Sequence, residues 1–176
     1  MHKYCIAYQG LTDGLHEFEF EITDLFFENF ELSEIKKGNL LAHVVLNKKP
    51  QLLEFSIKIN GTVETTCDRC LDEFDYPIKY NGKLFVKFST TNGDLDDDVI
   101  CLSPEENEVS IAQYLYENIS LSIPLKRVHP TDKKGNSLCN PVMLKKLKEL
   151  EINSPADEDV DPRWDELKKL MENNNN

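Results

Sequence analysis

Midway along the chain, Cys67-Asp68-Arg69-Cys70 sits between two long runs of alternating apolar and polar residues. Before it, Leu53, Phe55, Ile57, Ile59 and Val63 alternate with Glu54, Ser56 and Lys58; after it, a β-prone run continues from Phe74 to Phe88. Period-two alternation is the mark of a half-buried strand, so the two runs form a hairpin with both thiols at its tip. A C-x-x-C spacing across a tight turn lets both sulfurs approach one centre at about 2.3 Å, which is half of a tetrahedral zinc site. The same spacing suits a thiol-disulfide couple, so the pair leaves metal and redox chemistry open.

Other segments follow the same grammar. Lys3 to Tyr8 is a short strand. In the next, His16, Phe18, Phe20 and Ile22 face the core and Glu17, Glu19 and Glu21 face solvent, with His16 expected to be a hydrogen-bonded core or rim residue and not a ligand. Thr23-Asp24 opens a brief helix to Asn29, and Asn39 to Lys48 is another strand, turning at Lys49-Pro50. Asn60-Gly61 and Asn81-Gly82 interrupt the long strands as bulges or kinks. The run 90–98 is an acidic loop without calcium-site spacing, and Val99 to Leu102 is a short strand with Cys101 as a small apolar residue. Ser110 and Gln113 have capping-box spacing, opening a helix that Pro124 stops. Asn140-Pro141 starts a further helix to about Leu150.

The expected fold is α+β: a twisted antiparallel sheet, curled toward a barrel, with one packed helix and short C-terminal helices. Residues 1–150 form a single domain, 151–160 an acidic linker, 161–172 a short amphipathic element (Trp164, Leu167, Leu170) and 173–176 a disordered asparagine tail.

Two thiols do not close a zinc shell. The candidates that would complete it are His129 and Cys139, in the one loop that breaks the acidic pattern, with Gly135 and Asn136 between them to allow a sharp turn. Cys67, Cys70, His129 and Cys139 would then bind one structural zinc ion with no open position for water chemistry. The competing reading is a reduced dithiol beside a surface histidine. A redox-active pair is disfavoured because such thiols sit at a helix start in a βαβ unit.

No G-x-S-x-G, phosphate loop or H-E-x-x-H occurs, and carboxylates on alternating strands are ordinarily the solvent face, so a non-enzyme is expected. The formal charge of −12 rules out coating nucleic acid by bulk attraction and favours a basic partner or one local patch. Such a patch exists: Lys126, Arg127, Lys133, Lys134, Lys145, Lys146 and Lys148 lie between residues 125 and 149 with only Asp132 and Glu149 against them. It could touch an RNA backbone locally, although an ordinary solvated helix face accounts for it as simply. Five cysteines, an odd number, argue against a secreted disulfide framework. With no apolar run near the length of a membrane span and no secretory signal, a cytoplasmic protein is expected.

Thr66-Cys67-Asp68-Arg69-Cys70-Leu71 resembles the C-x-R-C-L signature of the YceD family of large ribosomal RNA subunit accumulation proteins. The likeness continues through Asp98 to Leu102, Ser122-Ile123-Pro124, His129, Gly135 and Leu138-Cys139, and the closing Asp161-Pro162-Arg163 resembles a terminal D-P-R element. It spans roughly 13–170. The resemblance implies a bacterial protein tied to accumulation of 23S ribosomal RNA and ribosome assembly, with no catalytic residues to carry over. Many relatives have a cysteine-rich loop, of which only Gly135, Leu138 and Cys139 persist here, leaving the single Cys₃His set. An acidic, non-enzymatic accessory factor acting through a ribosomal protein or a large-subunit precursor is the resulting expectation. The alternative is a metal-handling or thiol-redox protein using Cys67 and Cys70.

Overall fold

The computed structural model describes residues 2–88, 99–103, 105–132 and 134–151. The acidic loop expected at 90–98 and, except for Glu151, the linker, terminal element and tail expected over 151–176 lie outside those residues. Compact units are Met1–Asn140 and Pro141–Asn176.

The first unit is built on a five-stranded sheet of order β2-β3-β4-β5-β6, with β2 Gly14–Ile22, β3 Gly38–Lys49, β4 Leu52–Thr66, β5 Glu73–Phe88 and β6 Val99–Leu102. Strands β2 to β5 are antiparallel neighbours, whereas β6 runs parallel to β5. The sheet is open: β2 and β6 are its edges, so the barrel-like closure is not seen. A second, two-stranded sheet pairs β1 (Cys5–Ala7) with β7 (Glu108–Ser110).

Alternation places Leu53, Phe55, Ile57, Ile59 and Val63 of β4 in the core, all fully buried, with Val44, Leu46, Leu84 and Val86 beside them. Against this face pack α1 (Asp24–Phe27) and α2 (Ala112–Leu121), through Phe26, Phe27, Ile111, Leu115 and Ile119. The first helix is shorter than expected because Asn29 turns its amide back onto the Leu25 carbonyl (2.6 Å), ending the helix after one turn. His16 is half-buried at the rim and hydrogen-bonded, its Nε2 2.8 Å from the Thr12 carbonyl oxygen. Cys101 is half-buried.

Asn60-Gly61 is no bulge, since pairing passes through it one-to-one (Leu41↔Asn60, Leu40↔Gly61). Gly61 is there for a close approach: at φ +151°, a Cβ would land on the Asn39 carbonyl and within 2.5 Å of the Leu40 Cα. Asn81-Gly82 likewise pairs straight through β4. Nor does the capping box form. Ser110 is drawn into β7 opposite Cys5, the N-cap falls on Ile111 without a side-chain bond, and Gln113 donates to Glu117 instead (2.6 Å).

In the second unit, α3 runs Pro141–Leu150, opening at the proline as its spacing predicts. Among the described residues, no helix is long and apolar enough to cross a membrane.

Candidate metal centre

Strands β4 and β5 pair down to Thr66↔Glu73, so the hairpin loop is Cys67 to Asp72. The Cys67 amide donates to the Asp72 carbonyl and the Leu71 amide to the Cys67 carbonyl, both at 2.9 Å. This tight return needs a left-handed residue, and Leu71 supplies it at φ +62°, a conformation that costs a non-glycine residue on the order of 1 kcal/mol. The result is a knuckle with both sulfurs on one side, Cys67 and Cys70 being almost fully buried.

A second turn faces it. Thr131 bridges Ser137, the Asp132 amide donates to the Asn136 carbonyl (2.8 Å), and the Leu138 amide donates to the Pro130 carbonyl (3.3 Å). Gly135 adopts φ +83° at the apex. The Asp132 carboxylate caps the turn, accepting from the amides of Lys134 and Asn136 (2.8 Å each) and from the Asn136 side chain; these donors hold its pKa below the usual value, Asn136's amide most of all. Because Leu138 and Pro130 are paired, the residues just outside them, Cys139 and His129, come together at the open end of the turn.

Polar contacts dock one turn on the other. The Asp68 amide donates to the Arg127 carbonyl (2.7 Å) and the Arg127 amide donates back to the Asp68 carboxylate (2.6 Å). Phe74 at the start of β5 supports the His129 ring, with centroids 4.4 Å apart. The ligand atoms of Cys67, Cys70, His129 and Cys139 then all lie within 4.8 Å of one another. Cys67 Sγ is 3.7 Å from Cys139 Sγ, and Cys70 Sγ is 3.4 Å from His129 Nδ1. Around a tetrahedral ion with bonds of about 2.3 Å to sulfur and about 2.05 Å to nitrogen, those edges would be about 3.8 and 3.6 Å. The donor set and its spacing fit one zinc-like ion, with every vertex taken by protein.

Electrostatics agree with that use. Burial alone would push the Cys67 thiol up, but the amides of Arg69 and Cys70 and the groups of His129 bring it down to about 6. Burial raises Cys70 above the ordinary thiol value, against the amides of Asn140 and Asp72, and the sulfurs of Cys67 and Cys139 raise it further. A cation at the centre would reverse that mutual repulsion. The three cluster cysteines form no disulfide, and Cys67 has no exposed surface with which to attack a dissolved substrate.

The basic residues are divided. Lys126 and Lys134 are exposed on the first unit, and Lys145, Lys146 and Lys148 are exposed on α3 of the second. Lys133 lies outside the described residues. Arg127 is half-buried and ion-paired, 3.4 Å from Glu34 and 4.0 Å from Asp68, so its side chain helps hold the two turns together. Asp68, Asp132 and Phe74 are the supporting residues that spacing does not reveal; only the position of Asp68 between the cysteines marks it.

An α+β protein with an open sheet, its longest hairpin contributing two thiols to a Cys₃His cluster that could hold a metal, is the class that fold and site define. The chain belongs to the YceD family: the family model described as large ribosomal RNA subunit accumulation protein YceD matches residues 55–171, which include all four cluster residues. No curated protein and no solved structure matches the chain.

Proposed function

We propose that this chain is a non-enzymatic accessory factor for accumulation of large-subunit (23S) ribosomal RNA and assembly of the ribosome, working in the cytoplasm of a bacterium. Family membership carries the reading, since the family's description names large ribosomal RNA subunit accumulation. In this role Cys67, Cys70, His129 and Cys139 hold one structural zinc ion. Zinc supplies there a cross-link between two turns and no open coordination position, which is the chemistry of a scaffold. The acidic surface favours a basic ribosomal protein as partner, and the lysines Lys126, Lys133 and Lys134 of the first unit and, independently, Lys145, Lys146 and Lys148 of the second are local contacts to RNA.

Gradient sedimentation of a lysate tests the role. The protein should travel with large-subunit precursors, and recovery only at the top of the gradient would overturn the proposal. Metal analysis tests the centre: stoichiometric zinc in the purified protein, lost in Cys67→Ser, is expected. A metal-free protein with a reversible Cys67–Cys70 disulfide would favour the thiol-redox alternative.

A further inference from the structure

Strand β2 has a neighbour on one side only: β3 pairs along its whole length, and among the described residues no strand lies against its other edge. Register shows which backbone groups face outward. The Glu64 amide donates to the Lys37 carbonyl (3.0 Å), one step beyond the Gly38↔Val63 pair, so odd-numbered residues of β3 bond to β4 and even-numbered ones to β2. Leu40, Ala42 and Val44 are therefore bonded to Ile22, Phe20 and Phe18. The main chains of Leu15, Glu17, Glu19 and Glu21 point the other way. Tyr4 agrees with this, its hydroxyl donating to the Glu21 carbonyl (2.9 Å) from outside the ladder. From Leu15 to Glu19 the outward N–H and C=O groups have no partner among the described residues.

Side chains divide the same edge by face. Glu17, Glu19 and Glu21 are exposed on the open face of the sheet, while Phe18 lies half-buried on the core side, its ring 6.5 Å from that of Phe20. The Glu17 carboxylate is 3.8 Å from His43 Nε2, and those of Glu19 and Glu21 have no cationic partner among the described residues. A strand added here would set the residues opposite Glu17 and Glu19 beside carboxylates and the one between them against Phe18. A second copy of this edge, paired antiparallel, would bring glutamate against glutamate, which like-charge repulsion disfavours. A segment that alternates basic and apolar side chains meets both faces with the right chemistry.

We propose that β2 is a docking edge for an extended segment of a basic protein, in which lysine or arginine alternates with apolar residues and which joins the sheet by strand addition. The inference rests on the basic partner proposed above and names the surface that takes it.

The test titrates the full chain into a short labelled peptide of alternating lysine and valine, followed by fluorescence anisotropy, with a peptide of the same composition in two blocks as control. The alternating peptide should bind and the block peptide should bind much more weakly. Glu17→Lys/Glu19→Lys should weaken binding roughly tenfold or more, because each opposite-charge pair becomes a like-charge one. Glu17→Gln/Glu19→Gln, which keeps the shape, should weaken it less and flatten its salt dependence. Hydrogen exchange reads what charge attraction alone would not move. The amides of Glu17 and Glu19, open in the free chain, should become protected in the complex, whereas those of Phe18 and Phe20 are protected throughout. An unchanged melting temperature in each variant secures the comparison. The proposal fails if the alternating peptide does not bind, if the block peptide binds equally, if the charge-reversed variant keeps its affinity, or if the two amides gain no protection. Co-sedimentation with large-subunit precursors, but no protection of these amides, would sink this edge and leave the assembly role standing. Peptide binding with the expected protection, but no co-sedimentation, would do the reverse.

Discussion

Cys139→Ser keeps the backbone and nearly the volume of the residue while removing one sulfur from the cluster; chelation of the wild type removes the ion outright. The magnitude expected follows from what the cluster ties together. It joins positions 59 apart (Cys70 to His129) and 72 apart (Cys67 to Cys139). Treated as a cross-link closing a loop of 59 residues, the ion restricts the unfolded chain by about 4 kcal/mol at 25 °C. For a chain of this size that corresponds to a fall in Tm of about 8–16 °C. The loss should be uneven. None of the three clustered cysteines belongs to the main apolar core, which is built from β2 to β5 with α1 and α2. Strand signal in far-ultraviolet circular dichroism should therefore survive chelation at room temperature. Hydrogen exchange should accelerate at the amides of Asp68 and Leu138, which bond the knuckle to residue 127 and close the facing turn. Amides in the middle of β3 and β4 should stay protected. A zinc-loaded protein whose Tm moves by less than about 2 °C on chelation would refute the cross-link argument. So would simultaneous loss of protection in the knuckle and the sheet.

Three further outcomes are expected. In metal-free protein one thiol, Cys67, should ionise near pH 6, read as thiolate absorbance that Cys67→Ser abolishes. Because that folded value is depressed, its stabilisation is complete above the ordinary thiol pKa and lost as pH falls through about 6. Cys70, raised by burial, contributes in the opposite sense, weakening the fold as pH climbs into the thiol range. Asp68→Ala removes the acceptor of the Arg127 amide, at a cost of about 1–3 kcal/mol, and should lower zinc affinity about 10–100-fold in a chelator competition, with unchanged affinity counting against its positioning role. Gly61→Ala must place a methyl against β3 and should destabilise by about 4 kcal/mol or prevent soluble expression; a near-native denaturation midpoint would show that β3 and β4 can separate there.

Strand positions and core identity were legible from the chain alone, because burial alternates with the pleat and the pleat is local: β4 spans the expected Leu52–Thr66, and β6 the expected Val99–Leu102. The four cluster residues were legible too, since cysteines and a histidine flanking turn residues announce themselves by type. What decided the rest was pairing between distant segments. Ser110 carries capping chemistry, yet its backbone bonds to a strand more than a hundred residues earlier, and a ladder hydrogen bond outcompetes a side-chain cap. Arg127 reads as a free cation until the fold sets Asp68 and Glu34 beside it. Lys49 and Lys87, thirty-eight residues apart, come into one row across β3, β4 and β5 only through sheet register. Local chemistry thus determined which strands form and which residues could bind a metal. Long-range backbone pairing, in which each strand's free groups must find a partner, decided which side chains meet.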